Sequence, residues 1–273
     1  MSGNENRSAL DSASRSILED TLRKTMMGCS GPELDAALAD LGWADLLSED
    51  PDTAIPLVFR LLGETGAHAS VLNDVLLETI GGMPGGTPPM PCAGGGWVIW
   101  ERTPLEAGSS VLGGLPLRQV PDGELMRMGE ARRAVGWWLV GSARAMLELA
   151  RTHALDRVQF GRPIASFQAV RHRLAETLVA IEGAEATLML PVDESPDLTL
   201  LLAKAAAGRA ALIAAKHCQQ VLGGIGFTAE HPLHLHVERA LVLDSLLGNA
   251  RELTRKAGAG LRARGSTPRL AQL

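Results

Sequence analysis

Tyrosine is absent from this chain of 273 residues, and phenylalanine occurs only four times. A core with so little aromatic bulk has to be filled by Leu, Ala, Val, Ile and Met, a choice that favours helices. Cysteine is scarce as well. Cys29, Cys92 and Cys218 are odd in number, far apart and without metal-ligand spacing, so no disulfide framework is expected and the pattern suits unpaired thiols in a reducing cytoplasm. An excess of positive charge is also missing. The formal net charge is −5, which argues against a nucleic-acid-binding protein and leaves room only for local basic sites. No stretch approaches 18 uninterrupted apolar residues, and the polar start MSGNENRSALDSASRS lacks an apolar signal core, so a soluble protein without a membrane span is expected.

What is present reads as helices. Ile17, Leu18 and Leu22 form one short apolar face, and Leu34, Ala37, Leu38 and Leu41 another. Ala54 to Leu62 is strongly apolar and leads through Gly63 and Gly66 to Val71, Leu72, Val75, Leu76 and Ile80 at helical spacing. Gly81 to Gly96 holds seven glycines and four prolines, a composition that reads as a linker or loop; no Lys-Ser/Thr follows it, so it is not a phosphate-binding loop. Trp97 to Trp100 is the best strand candidate, Ser109 to Val120 offers one or two more, and the β content ends at Pro121. From Met126 the chain is helical again, with Trp137 and Trp138 expected in a wide buried surface and a long alanine-rich helix over Leu198 to Leu222, Asp197 as its N-cap. The expected architecture is mainly α: an N-terminal helical domain over 1–82, a reduced β segment over 83–124, and a four-helix bundle within 125–273 completed by Pro232 to Leu247.

The centre of the chain is Leu155 to Glu176, LDRVQFGRPIASFQAVRHRLAE. Pro163 cannot continue a helix, and Ser166 stands where an N-cap for the next helix would stand. Arg157 and Arg162 lie beside that helix start, a place that favours an anion. A second motif, QQVLGGIGFTAE, runs from Gln219 to Glu230 and is followed by His231-Pro232. The two motifs, in this order and joined by helices of suitable length, resemble the C-terminal domain of the acyl-CoA dehydrogenases over about residues 125 to 250.

The resemblance implies FAD as cofactor and an acyl-CoA thioester as substrate. It implies that Arg157 pairs with FAD phosphate, that Gln159 and Phe160 meet the ADP half, and that Gln220, Gly223 and Gly224 add polar and backbone contacts, all to a cofactor held mainly by a neighbouring subunit. In that family a glutamate removes the α-proton while flavin takes the β-hydride. Its commonest location aligns with Gly248, and its alternative location aligns with Ala131, one residue from Glu130. The family's full β domain, which holds the flavin ring, has only about Trp97 to Val120 to stand for it here, and strands this few cannot close a barrel.

Three readings follow. In the first, this is the small subunit of a heteromeric α2β2 acyl-CoA dehydrogenase of the kind that acts on sterol-derived CoA esters, its larger partner subunit supplying the sheet and the acid. In the second it is a catalytically silent assembly or regulatory subunit. In the third it is a self-sufficient homo-oligomeric flavoenzyme using Glu130. An electron-transfer acceptor and a cytoplasmic location accompany the first reading. His231, His234 and His236 lie within six residues, and an i, i+3 pair could chelate a metal, but no third ligand of suitable type is evident, so no metal is expected. The arginines beyond Asn249 read as a solvated helix with a frayed end.

Overall fold

The computed structural model describes residues 12–103, 113–124, 127–190 and 196–267. Five helices come first: α1 (Ser12–Gly28), α2 (Pro32–Asp40), α3 (Trp43–Glu49), α4 (Pro51–Thr65) and α5 (Val71–Ile80). A three-stranded antiparallel sheet follows, β1 (Met90–Cys92), β2 (Gly96–Trp100) and β3 (Leu117–Val120), in the order β1-β2-β3 with Met90 opposite Val98 and Trp97 opposite Val120. The second half holds α6 (Gly129–Asp156), a two-residue hairpin of β4 (Val158–Gln159) and β5 (Arg162–Pro163), α7 (Gln168–Leu188), α8 (Pro196–Leu222), α9 (Leu233–Ser245) and α10 (Ala250–Arg264).

One apolar cluster runs from Leu22 to Leu247. Its centre is Trp138 on α6, fully buried and packed edge-on to Phe59 of α4 at 5.8 Å and against Trp100 of β2 at 5.4 Å. Three of the few aromatic residues, Phe59, Trp100 and Trp138, thus pack where helices and sheet meet. Alanines 203, 207, 210, 211 and 214 of α8 are buried, and their small side chains let α8 serve as the spine on which α6, α7, α9 and α10 pack. This helix is long and apolar enough to cross a bilayer by length and composition, but 67% of its most apolar window is buried inside the protein.

Several expectations are corrected. Met90–Cys92, read as linker, is a strand; Pro91 is tolerated because β1 is an edge strand. The β content does not end at Pro121, because β4 and β5 pair across the Phe160-Gly161 turn. Gly63 lies inside α4, which continues to Thr65. Helix α7 is N-capped by Phe167; the Ser166 hydroxyl instead donates to the Pro163 carbonyl at 2.8 Å. Asp197 is not a cap, because α8 already begins at Pro196. Helix α6 begins at Gly129 rather than Met126. The solvated helix expected beyond Asn249 is present as α10, started by an Asn249–Glu252 capping box. The expected strand residues before 113, Met126 itself and most of the loop over 191–197 lie outside the described residues.

Candidate functional site

The first group of candidate residues sits on the β4–β5 hairpin. Arg157 is the C-cap of α6, in extended conformation, so its side chain leaves the helix at the start of β4. Phe160 and Gly161 have φ of 53° and 78°, the two left-handed positions that a two-residue hairpin turn requires. Phe160 is 90% exposed, and its ring meets Phe167 edge-on at 6.1 Å while Arg162 lies 4.4 Å over the same Phe167 ring. Arg157 and Gln159 are exposed, and neither side chain has a hydrogen bond or ion pair among the described residues.

The second group ends α8. Gln220 is exposed and likewise has no partner. Gly223 has φ 65°, the left-handed conformation that stops the helix. Gly224 is different: its φ is not positive, and a Cβ there would meet nothing within 4 Å. Nothing among the described residues requires glycine at 224. Beside it Phe227 and Ile225 are exposed apolar residues. No hydrogen bond, ion pair or ring contact joins the two groups among the described residues, and α7, which starts at the hairpin and binds α8 through Thr177 and His217 at 3.1 Å, is their shared neighbour.

The position aligned with the family's glutamate lies at the corner between α9 and α10. Gly248 has φ 97°, and a Cβ on it would come within 2.8 Å of Leu253. Lys204, fully buried on α8, donates to the carbonyls of Asp244 and Gly248 at 2.7 Å each and of Leu243 at 3.3 Å. Burial pulls its pKa down to about 8, with Asp244 opposing the shift. Arg132 of α6 donates to the Leu247 carbonyl at 3.1 Å, Leu247 donates its amide to Pro91 of β1 at 2.8 Å, and Ala93 donates to Ser245 at 2.8 Å. The corner is therefore tied to three elements, and its two acids, Asp244 and Glu252, accept backbone amides. Asp244 is buried and accepts the Ala250 amide at 3.1 Å.

Glu130 is in the first turn of α6. It lines a groove of about 860 Å³ with Asp52 and Trp137. Its carboxylate accepts from Arg133 at 3.2 Å, and the same guanidinium binds Asp52 at 2.7 Å. Neighbouring Ala131, the aligned position, is fully buried. The histidines near 231 serve local structure: His231 Nδ1 accepts the Leu233 amide, and His234 Nδ1 donates to the His231 carbonyl at 2.8 Å. Among the described residues no three His, Cys, Asp or Glu side chains converge as metal ligands.

Sequence reasoning missed Lys204 and Arg132. A signal for the first was present: it is one of two charges between Leu198 and Ala215 and falls on the apolar face of α8.

Residues 125–259 match the family model described as acyl-CoA dehydrogenase, C-terminal domain. The acyl-CoA dehydrogenase FadE34 of Mycobacterium tuberculosis is 36% identical over 220 residues, covering 71% of this chain and 31% of that protein. Acyl-CoA dehydrogenase IpdE2 of the same organism is 39% identical over 117 residues, 43% of this chain and 37% of that protein. The chain spans about a third of the length of these curated relatives. Among solved structures, a variant of the Tcur3481-Tcur3483 steroid ACAD gives a TM-score of 0.67 at 18% identity, covering 93% of this chain and 98% of that one. The ChsE4-ChsE5 complex from Mycobacterium tuberculosis gives 0.64 at 19%, covering 96% and 100%. At those identities the likeness speaks to the fold alone. The matched C-terminal domain, together with 36% identity to FadE34 over 71% of the chain, means that the chain belongs to the acyl-CoA dehydrogenase family.

Proposed function

We propose that this chain is a subunit of an FAD-dependent acyl-CoA dehydrogenase, desaturating an acyl-CoA thioester of the sterol-derived class, and that it completes the FAD site of a larger partner subunit. The observation that carries the reading is the α9–α10 corner. A left-handed glycine crowded by Leu253 and held by Lys204 stands where the resemblance places the proton-abstracting acid, and in this reading the acid comes from another polypeptide. Two further features support it. The hairpin and the end of α8 present unpartnered Arg157, Gln159 and Gln220 outward, beside exposed Phe160 and an unobstructed Gly224. Two solved structures of the same fold each pair two proteins by name, the ChsE4-ChsE5 complex and the Tcur3481-Tcur3483 steroid ACAD.

The residues fit one end of the cofactor. The Arg157 guanidinium can donate two hydrogen bonds to phosphate oxygens, Phe160 offers a ring to an adenine, and Gly223-Gly224 allows close approach to backbone. They do not fit the flavin ring, since three short strands give it no cover. FAD supplies hydride acceptance from the substrate's β-carbon; this chain supplies charge and shape at the far, nucleotide end. Glu130 gives the self-sufficient reading no support, being held by an arginine that also binds Asp52.

Co-expression with a larger acyl-CoA dehydrogenase subunit from the same genome tests the proposal. The complex is expected to purify yellow and to oxidise an acyl-CoA, and this chain alone to be colourless. Gly224→Leu, whose Cβ would meet nothing within 4 Å, is expected to leave folding intact and to strip flavin from the complex. Retention of full flavin content and turnover in both Gly224→Leu and Arg157→Ala would overturn the reading, as would a yellow, active preparation of this chain by itself.

A further inference from the structure

In three places arginines that face a neighbouring helix meet acids: Arg60 reaches Glu19 and Glu64, Arg133 reaches Asp52 and Glu130, and Arg144 reaches Glu182 and Glu185. The groove of about 800 Å³ between α8 and α10 differs. Arg209 and Lys216 of α8 form one wall and Arg251 and Arg255 of α10 the other, all four exposed and without a hydrogen bond or ion pair among the described residues. The two acids at this corner are engaged with backbone: Asp244 accepts the Ala250 amide, and Glu252 accepts the amides of Asn249 and Gly94. Between the walls lie Leu212 and Ile213, both half-buried. Helix α10 alone carries five basic residues and one acid, so in a chain of net charge −5 positive charge is gathered on one face.

Such an arrangement is unfavourable by itself. Arg251 and Arg255 are like charges four apart on one helix, and Arg251 stands in the first turn of α10, where the helix dipole opposes a cation. Arg209 and Lys216 share a face of α8 and stand about 10 Å apart along it, two helical turns. Two rows of cations flanking an apolar strip fit a rod with acids along its edges and apolar residues between them, which describes an amphipathic helix. A lipid surface fits less well, because no large apolar side chain of α10 is exposed to enter it. A second copy of this chain, placed by a two-fold axis, would set the same cations against each other. The occupant that relieves the repulsion and covers the strip is therefore a helix of opposite charge from a different protein.

We propose that the α8–α10 groove is a docking surface for an acidic amphipathic helix of another protein, its carboxylates paired with Arg209, Lys216, Arg251 and Arg255 and its apolar stripe laid on Leu212 and Ile213. The inference does not depend on the flavin clasp, none of whose residues lines the groove. Each contact has its own signature. Opposite charge steers the encounter and is screened by salt, whereas the apolar strip holds the docked helix and is not. Binding therefore needs both the cations and the strip, and only the first part fades as ionic strength rises.

The test is fluorescence anisotropy of a labelled synthetic peptide, an amphipathic helix of about 15 residues of glutamate, alanine and leucine, titrated with the full-length chain in the oligomer in which it purifies. Saturable binding with Kd below about 0.1 mM is expected. It should weaken at least about tenfold between about 0.1 and 1 M salt, as the screening length shrinks from about 10 to about 3 Å. A peptide of the same composition with its apolar stripe scrambled is expected to bind at least about tenfold more weakly, about 1.4 kcal/mol. The Arg209→Glu/Arg255→Glu variant is expected to reject the acidic peptide, to bind its lysine counterpart instead, and to keep the wild-type melting curve. Should that variant not fold, Arg209→Gln/Arg255→Gln carries the same test, with binding of the acidic peptide again at least about tenfold weaker. The proposal is overturned by absence of saturable binding of the acidic peptide, by binding that survives the loss of both arginines, or by equal binding of the scrambled peptide. It is equally overturned if the peptide stays free while the chain binds phosphatidylglycerol vesicles through the same two arginines, which would mark the face as lipid-binding.

Discussion

Phe160 holds two opposed energies in one residue. A positive φ on a non-glycine residue costs roughly 1–2 kcal/mol, while the edge contact with Phe167 returns about 0.5–1.5 kcal/mol. Replacement by glycine removes both, so Phe160→Gly is expected to change unfolding free energy by less than about 1 kcal/mol. A chain with nothing to gain from an exposed aromatic ring would keep glycine there. If the ring meets a cofactor held by another subunit, the same variant lowers flavin content of the complex, and the two readouts separate: chemical denaturation of the chain stays level while absorbance of bound flavin falls. Equal flavin content would remove Phe160 from the clasp.

Lys204 is the residue on which the α9–α10 corner depends. Removing one side of a buried hydrogen-bonded cluster leaves the other side desolvated, at about 1–3 kcal/mol. Lys204→Met is expected to destabilise the protein by that order at neutral pH. The pH dependence has a definite sign. Burial lowers the folded pKa to about 8 from the ordinary 10.5, so between those values the unfolded chain binds the proton and the folded chain does not, and stability rises with pH across that window. Below about pH 8 both states carry the charge and the penalty of burying it is complete. Wild type minus Lys204→Met, followed by denaturant unfolding from pH 7 to 10.5, should show that rise; a flat difference would mean that the ammonium is not held as described. The absence of tyrosine removes one competing titration from the window.

At the scale of elements, the closest approach is between α4 and α6. A Cβ on Gly63 would lie 2.5 Å from the Ser142 amide nitrogen and would overlap the Trp138 carbonyl; one on Gly141 would lie 3.0 Å from the Gly63 Cα and overlap the Arg60 carbonyl. The glycines are therefore the crossing point of the N-terminal helices on the bundle. Either Gly63→Ala or Gly141→Ala forces backbone apart and is expected to lower stability by about 1–3 kcal/mol, read as a drop in melting temperature. Gly183→Ala on α7, with nothing within 4 Å, is expected to raise stability by roughly 0.5–1 kcal/mol through helix propensity. Both outcomes together separate close packing from propensity.

That crossing shows where sequence reasoning stops. The period of Val71, Leu72, Val75 and Leu76 places a helix because it depends on neighbours along the chain. Gly63 reads as a break by the same local rule, yet it is helical because Gly141, seventy-eight positions away, needs the room. Pro91 misled for a related reason: an edge strand is defined by which neighbour it lacks, a property of the sheet. Ser166 is placed correctly for a cap, but its hydroxyl finds the Pro163 carbonyl first. For the candidate site, the residue types at Arg157, Phe160, Gln220 and Gly224 are legible through resemblance. That they face outward, and that Gly248 is bound by a buried lysine, depends on packing between α6, α8 and α9 that no local pattern encodes.

For the whole molecule, helix α7 is the element without a full set of neighbours. Ile181, Ala184 and Leu188 are buried on one side, whereas Leu178 is half exposed and Val179 is 71% exposed on another. Exposed apolar residues on a bundle helix that also starts at the clasp are suited to a subunit contact, and the occupant the proposed function requires is the larger dehydrogenase subunit. Val179→Lys distinguishes this from a bare surface. On an isolated chain a solvent-facing substitution changes stability by no more than about 0.5 kcal/mol. At the centre of an interface the same ammonium would be buried without a partner, a loss of several kcal/mol that weakens assembly by more than about a hundredfold. Sedimentation of the co-purified complex at micromolar concentration is expected to show dissociated subunits for Val179→Lys while the variant chain keeps its melting curve. An intact complex would place the partner on another face, and the clasp would then have to be reached from there.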